Sequence, residues 1–171
     1  GFIAQMVDGA VGMGYGVTST SILMSMGVNP AAISGSVHTA EIFSSAASGY
    51  IHYKFGNVNK KLFKVLVIPG IIGAIAGAGA LVWIGDKYGN MIKPFLAAYC
   101  LLLGIRILYQ AYRREKKIKK VKKAGWLAGV GGFLDSFGGG GWGPLVTSTL
   151  IAKGRSPQYV IGSVSLSEFF V

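Results

Sequence analysis

The sequence predicts an all-α, polytopic integral membrane protein made of two homologous repeats, read as inverted, each with a glycine-broken re-entrant segment. Three observations lead there: an apolar composition, an ungapped internal repeat, and basic residues confined to short flanks. Of the 171 residues only 13% are charged, and mean hydropathy is +0.52. A soluble domain carries about 25% charged residues, so most of this surface is unsuited to water. Apolar windows near the roughly 20 residues that cross a bilayer recur along the chain, most clearly at 62–84 and 91–111. The net charge of +11 could suggest a nucleic-acid partner. No nucleic acid is expected, because the Lys and Arg residues flank apolar spans instead of covering an amphipathic face.

The repeat organises the chain. Residues 8–23 (DGAVGMGYGVTSTSIL) align without a gap on 135–150 (DSFGGGGWGPLVTSTL). The register then continues: Gly27 meets Gly154, Pro30 meets Pro157, Gly35-Ser36-Val37 meets Gly162-Ser163-Val164, and Glu41 meets Glu168. Roughly fourteen of about thirty-seven positions are identical at this one offset, far above chance. Residues 1–112 form the first repeat, with a broken segment at about 1–26 and helices at about 31–53, 62–84 and 91–111. A cytoplasmic basic loop, 113–123, leads to the second repeat, 124–171, with a broken segment at about 125–153 and a helix from about 158. Asn29-Pro30 and Ser156-Pro157 supply a capping side chain and a first-turn proline for the helix after each break. Gly1 is not an initiator and Val171 falls within an expected helix, so both ends read as truncated; no basic flank or small-residue cleavage site marks a signal peptide.

Charge then sets orientation. Lys54, Lys60, Lys61 and Lys64 flank one loop, and a basic run covers 113–123, whereas 85–90 reads as a nearly neutral loop. The positive-inside rule makes the Lys-rich loops cytoplasmic. Lys153 and Arg155 follow the second broken segment, so it enters and returns on one side. The matching stretch 27–30 is uncharged, as an external loop would be. That asymmetry implies inverted repeats, common in secondary transporters. If the broken segment crosses once instead, the repeats are parallel.

Unpaired backbone in hydrocarbon costs several kcal/mol per group, so breaks at membrane depth must line protein or a polar cavity. The half-helix after each break would aim free N–H groups and a positive dipole end into that cavity, a geometry that binds anions. Substrate-binding candidates are therefore Gly12, Gly14, Gly16 and Thr18, their counterparts Gly139, Gly141 and Gly143, and the paired Ser36 and Ser163. Close helix packing is the other use of glycine, expected for Gly73 and Gly77, but the repeated Gly-x-Gly-x-Gly of the breaks exceeds what packing requires. Ser34, His38, Glu41, Ser45, Ser48 and His52, spaced by fours and threes, form one polar stripe that should face inward. Ionisable groups in a span are costly and so are functional candidates. Glu41 and Glu168 are candidates to carry a coupling proton, with His38 as a relay and Asp8 and Asp135 beside them, although capping the re-entrant segment suits both aspartates. The Lys run can also hold anionic lipid headgroups.

Cys100 has no second cysteine to pair with. No phosphate loop, dinucleotide fingerprint, nucleophile elbow, His-Glu-x-x-His or Cys-x-x-Cys motif occurs, so neither enzyme, cofactor nor metal is expected.

In the duplicated order of glycine break, half-helix, Gly-x-x-Pro turn (Gly27 to Pro30, Gly154 to Pro157) and small-residue helix start (Gly35-Ser36, Gly162-Ser163), the chain resembles the TauE/SafE family of sulfite exporter-like transporters. The resemblance covers essentially the whole chain. It implies a plasma-membrane carrier of about eight segments for small anions such as sulfite, sulfonates or related organic acids. One departure is Val17, standing where the resemblance implies a proline that Pro144 keeps, so the two half-sites need not be equivalent. An anion channel or a non-transporting membrane scaffold are the alternatives, and assembly into a homo-oligomer is left open.

Overall fold

The computed structural model describes residue 8, residues 14–112 and residues 123–171. Gly12 and the basic run 113–122 lie outside the described residues. All regular structure among the described residues is helical: α1 (Tyr15–Ser25), α2 (Pro30–Lys54), α3 (Lys60–Tyr112), α4 (Ala124–Gly138), a π-helical turn (Trp142–Thr147), α5 (Ser148–Ala152) and α6 (Pro157–Glu168).

Aligned residues do the same local work in both copies. Gly27 (φ 80°) and Gly154 (φ 79°) end α1 and α5 in the left-handed conformation, which glycine adopts without a Cβ clash. Around them Val28 N–H donates to the Leu23 carbonyl at 3.2 Å and Arg155 N–H to that of Leu150 at 3.3 Å. Pro30 and Pro157 each open the next helix, where a missing N–H costs nothing. Asn29 adds a side-chain cap, accepting from Ala31 N–H at 2.9 Å.

Within the stretch 85–90, which the sequence suggests is a loop, two helices meet directly at a kink, where Tyr88 (φ −134°, ψ 29°) leaves helical geometry. Helical hydrogen bonding on both sides leaves one residue to absorb the turn. The chain doubles back there. A Cβ on Gly77 would meet the Phe133 backbone, and one on Gly138 would meet the Tyr99 ring. In an unbroken helix Tyr99 would lie about 33 Å beyond Gly77, whereas Phe133 and Gly138 are separated by about 7.5 Å. The two limbs, Lys60–Gly85 and Met91–Tyr109, reach mean hydropathies of 2.3 and 1.8 and are long enough to cross a bilayer. Both turn large apolar side chains outward, including Ile72 (65% exposed) and Phe95 (75%). A water-soluble helix of that hydropathy would bury them, so the chain is an integral membrane protein.

The first limb packs on α4 through backbone. A Cβ on Gly73 would strike the Gly129 carbonyl, and one on Gly132 the Gly70 carbonyl, so only glycine lets these helices approach so closely. Beneath them Trp142, Leu66, Val146, Leu150, Val160 and Val164 form an apolar core. The Trp142 indole N–H satisfies itself on the Val164 carbonyl at 3.3 Å.

Helices α2 and α6, repeat mates, lie side by side and antiparallel: Gly49 abuts Leu166, while Gly162 abuts His52 and Asn57. Their shared end gathers the basic residues. Gln158 donates to the Asn57 side chain at 2.5 Å, and Asn59 N–H donates to Ser163 Oγ at 2.8 Å. The segment 54–64 and the turn carrying Lys153 and Arg155 therefore sit at one end, together with the start of α4, where Gly125 faces Val65.

Candidate functional site

Both glycine breaks meet inside the bundle. Gly14 (φ 122°) precedes α1, and Gly139 (φ 67°) and Gly140 (φ 154°) separate α4 from the π-helical turn. A Cβ on Gly16 would lie 2.8 Å from Gly140 Cα, 3.0 Å from the Gly139 carbonyl oxygen and 2.9 Å from Glu41 Oε1. Across this contact Thr20 Oγ1 donates to the Gly139 carbonyl at 2.5 Å, and Tyr99 donates its hydroxyl proton to the Gly140 carbonyl at 3.1 Å. Carbonyls that a helix would have satisfied internally are thus met by side chains from two other helices.

Each break is also stitched by its own aspartate. Asp135 Oδ1 accepts from Gly141 N–H at 2.5 Å and from Trp142 N–H at 2.7 Å. Asp8 Oδ1 accepts from Tyr15 N–H at 3.3 Å, the same partner one repeat earlier. This corrects the expectation of free amide ends for Gly141 and Trp142. Within 141–145, Gly141 and Trp142 are taken by Asp135, Leu145 N–H donates to the Gly141 carbonyl at 2.9 Å, and Pro144 has no N–H. A carboxylate of the protein already fills the position an external anion would take at the second half-helix. That half-helix also begins as a π-helical turn, not the α-helix expected from Gly143-Pro144. Because Pro144 donates nothing, the ladder can slip by one residue there without forfeiting a bond.

The first part of the α2 polar stripe, from Ser34 to Glu41, faces this junction, while His52 lies at the basic end. Ser34, Glu41 and Ser45 are buried and His38, Ser48 and His52 half-buried. Ser34 Oγ donates to the Ser136 carbonyl at 2.8 Å, tying α2 to the end of α4. His38 Nδ1 and Glu41 Oε2 are 3.0 Å apart. Ligand atoms of His38, Glu41 and Asp135 all lie within 4.8 Å of one another, a spacing that suits a shared proton or a small cation. Glu168 addresses the same cluster, with Asp8, Glu41 and Asp135 in electrostatic range of its carboxyl. The junction is therefore acidic: four carboxyl groups and one imidazole in a membrane body.

The remaining sequence candidates scatter. Gly143 is buried in the π-helical turn, and Thr18 is exposed on α1. Ser36 points outward from α2. Ser163 is fully buried and committed, accepting from Asn59 N–H and donating to the Tyr159 carbonyl at 2.7 Å. Sequence reasoning missed Thr20, Tyr99 and the pair in which Arg106 donates to Thr149 Oγ1 at 2.5 Å. The identity of Thr20 and Thr147 across the repeats was the available signal for the first.

The model of the sulfite exporter TauE/SafE family matches residues 1–171. The chain belongs to the TauE/SafE family. Among curated relatives it is 46% identical over 180 aligned residues to the probable membrane transporter protein YtnM of Bacillus subtilis (strain 168), covering 100% of this chain and 59% of that protein. It is 30% identical over 117 residues to the probable inositol transporter 3 of Arabidopsis thaliana, covering 67% of this chain and 18% of that one. No solved structure matches. The TauE/SafE chain described here thus spans about three fifths of the first relative's length.

Proposed function

We propose that this chain is the greater part of a plasma-membrane secondary transporter for small anions, coupled to protons, and not an enzyme. Membership in the TauE/SafE family and similarity to a probable membrane transporter support transport as the activity. The observation that carries the mechanism is the acidic junction where the glycine breaks cross, with Glu41 against Gly16 and His38 beside Glu41. An anion entering while Glu41, Glu168 and the two aspartates were all ionised would be repelled. Protonation of Glu41 or Glu168 lowers that repulsion, so anion and proton favour each other's binding and travel together. Asp8 and Asp135, which hold backbone amides, keep the breaks in shape while the glutamates exchange the proton.

Architecture supports the same reading. The repeat mates α2 and α6 run antiparallel, as inverted repeats require, and the start of α4 and the end of α5 share the basic end, as a re-entrant segment requires. That end is cytoplasmic by the positive-inside rule. With Asp135 occupying the second half-helix, the amides of the first break, around Gly16 and Val17, together with Thr18 are left to hold the anion. Sulfite, sulfonates and related organic acids are the solute class. The test is counterflow of labelled sulfite and simple sulfonates in proteoliposomes containing the full-length protein. Saturable exchange that accelerates with an acid-side proton supply is expected. Unsaturable flux would indicate a channel, and no flux a scaffold.

A further inference from the structure

A groove of about 770 Å³ runs between α1 and the second limb of α3. Its foot is Gly14, the first break, and Val17 on its floor has its backbone nitrogen 2.5 Å from where a Cβ on Gly140 would stand, so the groove reaches the junction itself. Above the foot, Thr18, Ser21 and Ser25 follow at intervals of four, three and four, one face of α1. All three are exposed in the groove. The hydroxyls of Ser21 and Ser25 rest on the Val17 and Ile22 carbonyls, each at 2.7 Å, and rotation about the C–O bond turns either proton into the groove.

The repeat supplies a control for this row. The mates of Thr18, Ser21 and Ser25 are Leu145, Ser148 and Ala152. Leu145 packs against the cluster of Val17, Cys100 and Leu103, the last two from the same α3 limb, and Ser148 is 3% exposed. The equivalent face in the second copy therefore keeps one hydroxyl, which is buried, between Leu145 and an exposed Ala152, whereas in the first copy it carries three exposed hydroxyls. The rest of the lining, Val17, Met24, Leu101, Ile105 and Leu108 among it, is apolar, so the hydroxyl row is the polar wall of the groove. The row also leads away from the basic end of the bundle, toward the uncharged turn that ends α1.

We propose that this groove is the passage through which the transported small anion moves between the junction and the membrane face opposite the lysine clusters, with Thr18, Ser21 and Ser25 replacing water around it. The proposal rests on the transport reading above. It is tested in the full-length protein with its native cysteines replaced by alanine, Cys100 of the groove wall among them, into which Thr18→Cys, Ser21→Cys and Ser25→Cys are introduced, with Ile72→Cys on the outward face of the other limb as a lipid-facing control. The probe is 2-sulfonatoethyl methanethiosulfonate, a membrane-impermeant reagent with a sulfonate headgroup. The three groove cysteines should react at least roughly tenfold faster than Ile72→Cys, since a charged reagent enters water and not lipid. Excess unlabelled sulfonate should slow the reaction several-fold, and modification at position 21 should abolish transport. Labelling as slow as at Ile72→Cys would mean that another helix covers the row, and overturns the proposal. Fast labelling that neither blocks transport nor responds to solute overturns it as well. Either result with wild-type transport intact leaves the transporter standing, whereas wild-type protein without anion flux brings down the function itself.

Discussion

The two copies of the repeat start from matching residues and end in different states. In the second copy the break is wrapped: Trp142, Val146 and Thr147 are fully buried, Asp135 holds two amides, and Ser148 Oγ bonds back to the Pro144 carbonyl. In the first copy Asp8 holds one amide among the described residues, at a longer distance, and Thr18, Ser21 and Ser25 face an open groove. On the transport reading proposed above, one half-helix is the scaffold and the other the working face. Duplication thus supplies a fold whose halves can diverge, with rigidity concentrated in one and access in the other.

That contrast can be broken at several points. The largest effect is expected at the crossing. Gly140→Ala would place a methyl against the Gly16–Val17 backbone at a φ of 154°, costing about 3 kcal/mol or more, so folded yield in detergent should collapse. Gly27→Ala, equally left-handed at φ 80° but in open space, should cost only about 1–2 kcal/mol, read as a modest drop in melting temperature. Equal losses would deny the crossing its special role.

Next come the aspartates. Asp135→Asn weakens two buried charge-assisted bonds and should cost about 2–3 kcal/mol in thermal unfolding, whereas Asp8→Asn should cost about 1 kcal/mol. A larger loss at Asp8 would reverse the assignment of scaffold and working face. The smallest effect separates the paired threonines. Thr20→Val removes a buried donor from the Gly139 carbonyl and should cost about 1–2 kcal/mol. Thr147 Oγ1 is buried without a hydrogen-bond partner among the described residues, so Thr147→Val should be neutral or slightly stabilising within about 0.5 kcal/mol.

Much of this was legible in the sequence for local reasons. Gly27, Gly154, Pro30 and Pro157 each dictate backbone within a turn of themselves, so the repeat could be read from their order alone. The stripe from Ser34 to His52 follows from helical periodicity and does face inward. What could not be read is non-local. That Asp135 consumes the amides left for an anion depends on how sharply the chain reverses at 139–141, and Thr20, Tyr99 and Ser34 reach partners 119, 41 and 102 residues away. The kink at Tyr88 escaped because nothing in 85–90 forbids a helix except the need to turn back at the membrane surface.

The central claim is that Glu41 and Glu168, at the acidic junction, carry the proton that lets an anion bind. The direct measurement is anion uptake into proteoliposomes across a range of pH and imposed pH gradients, comparing wild type with the Glu41→Gln, Glu168→Gln double variant of the full-length protein. Gln mimics the protonated carboxyl, so the variant should still exchange anion in counterflow while losing both its pH dependence and its response to a proton gradient. Uptake in the variant that follows pH and gradient as in wild type would contradict the account.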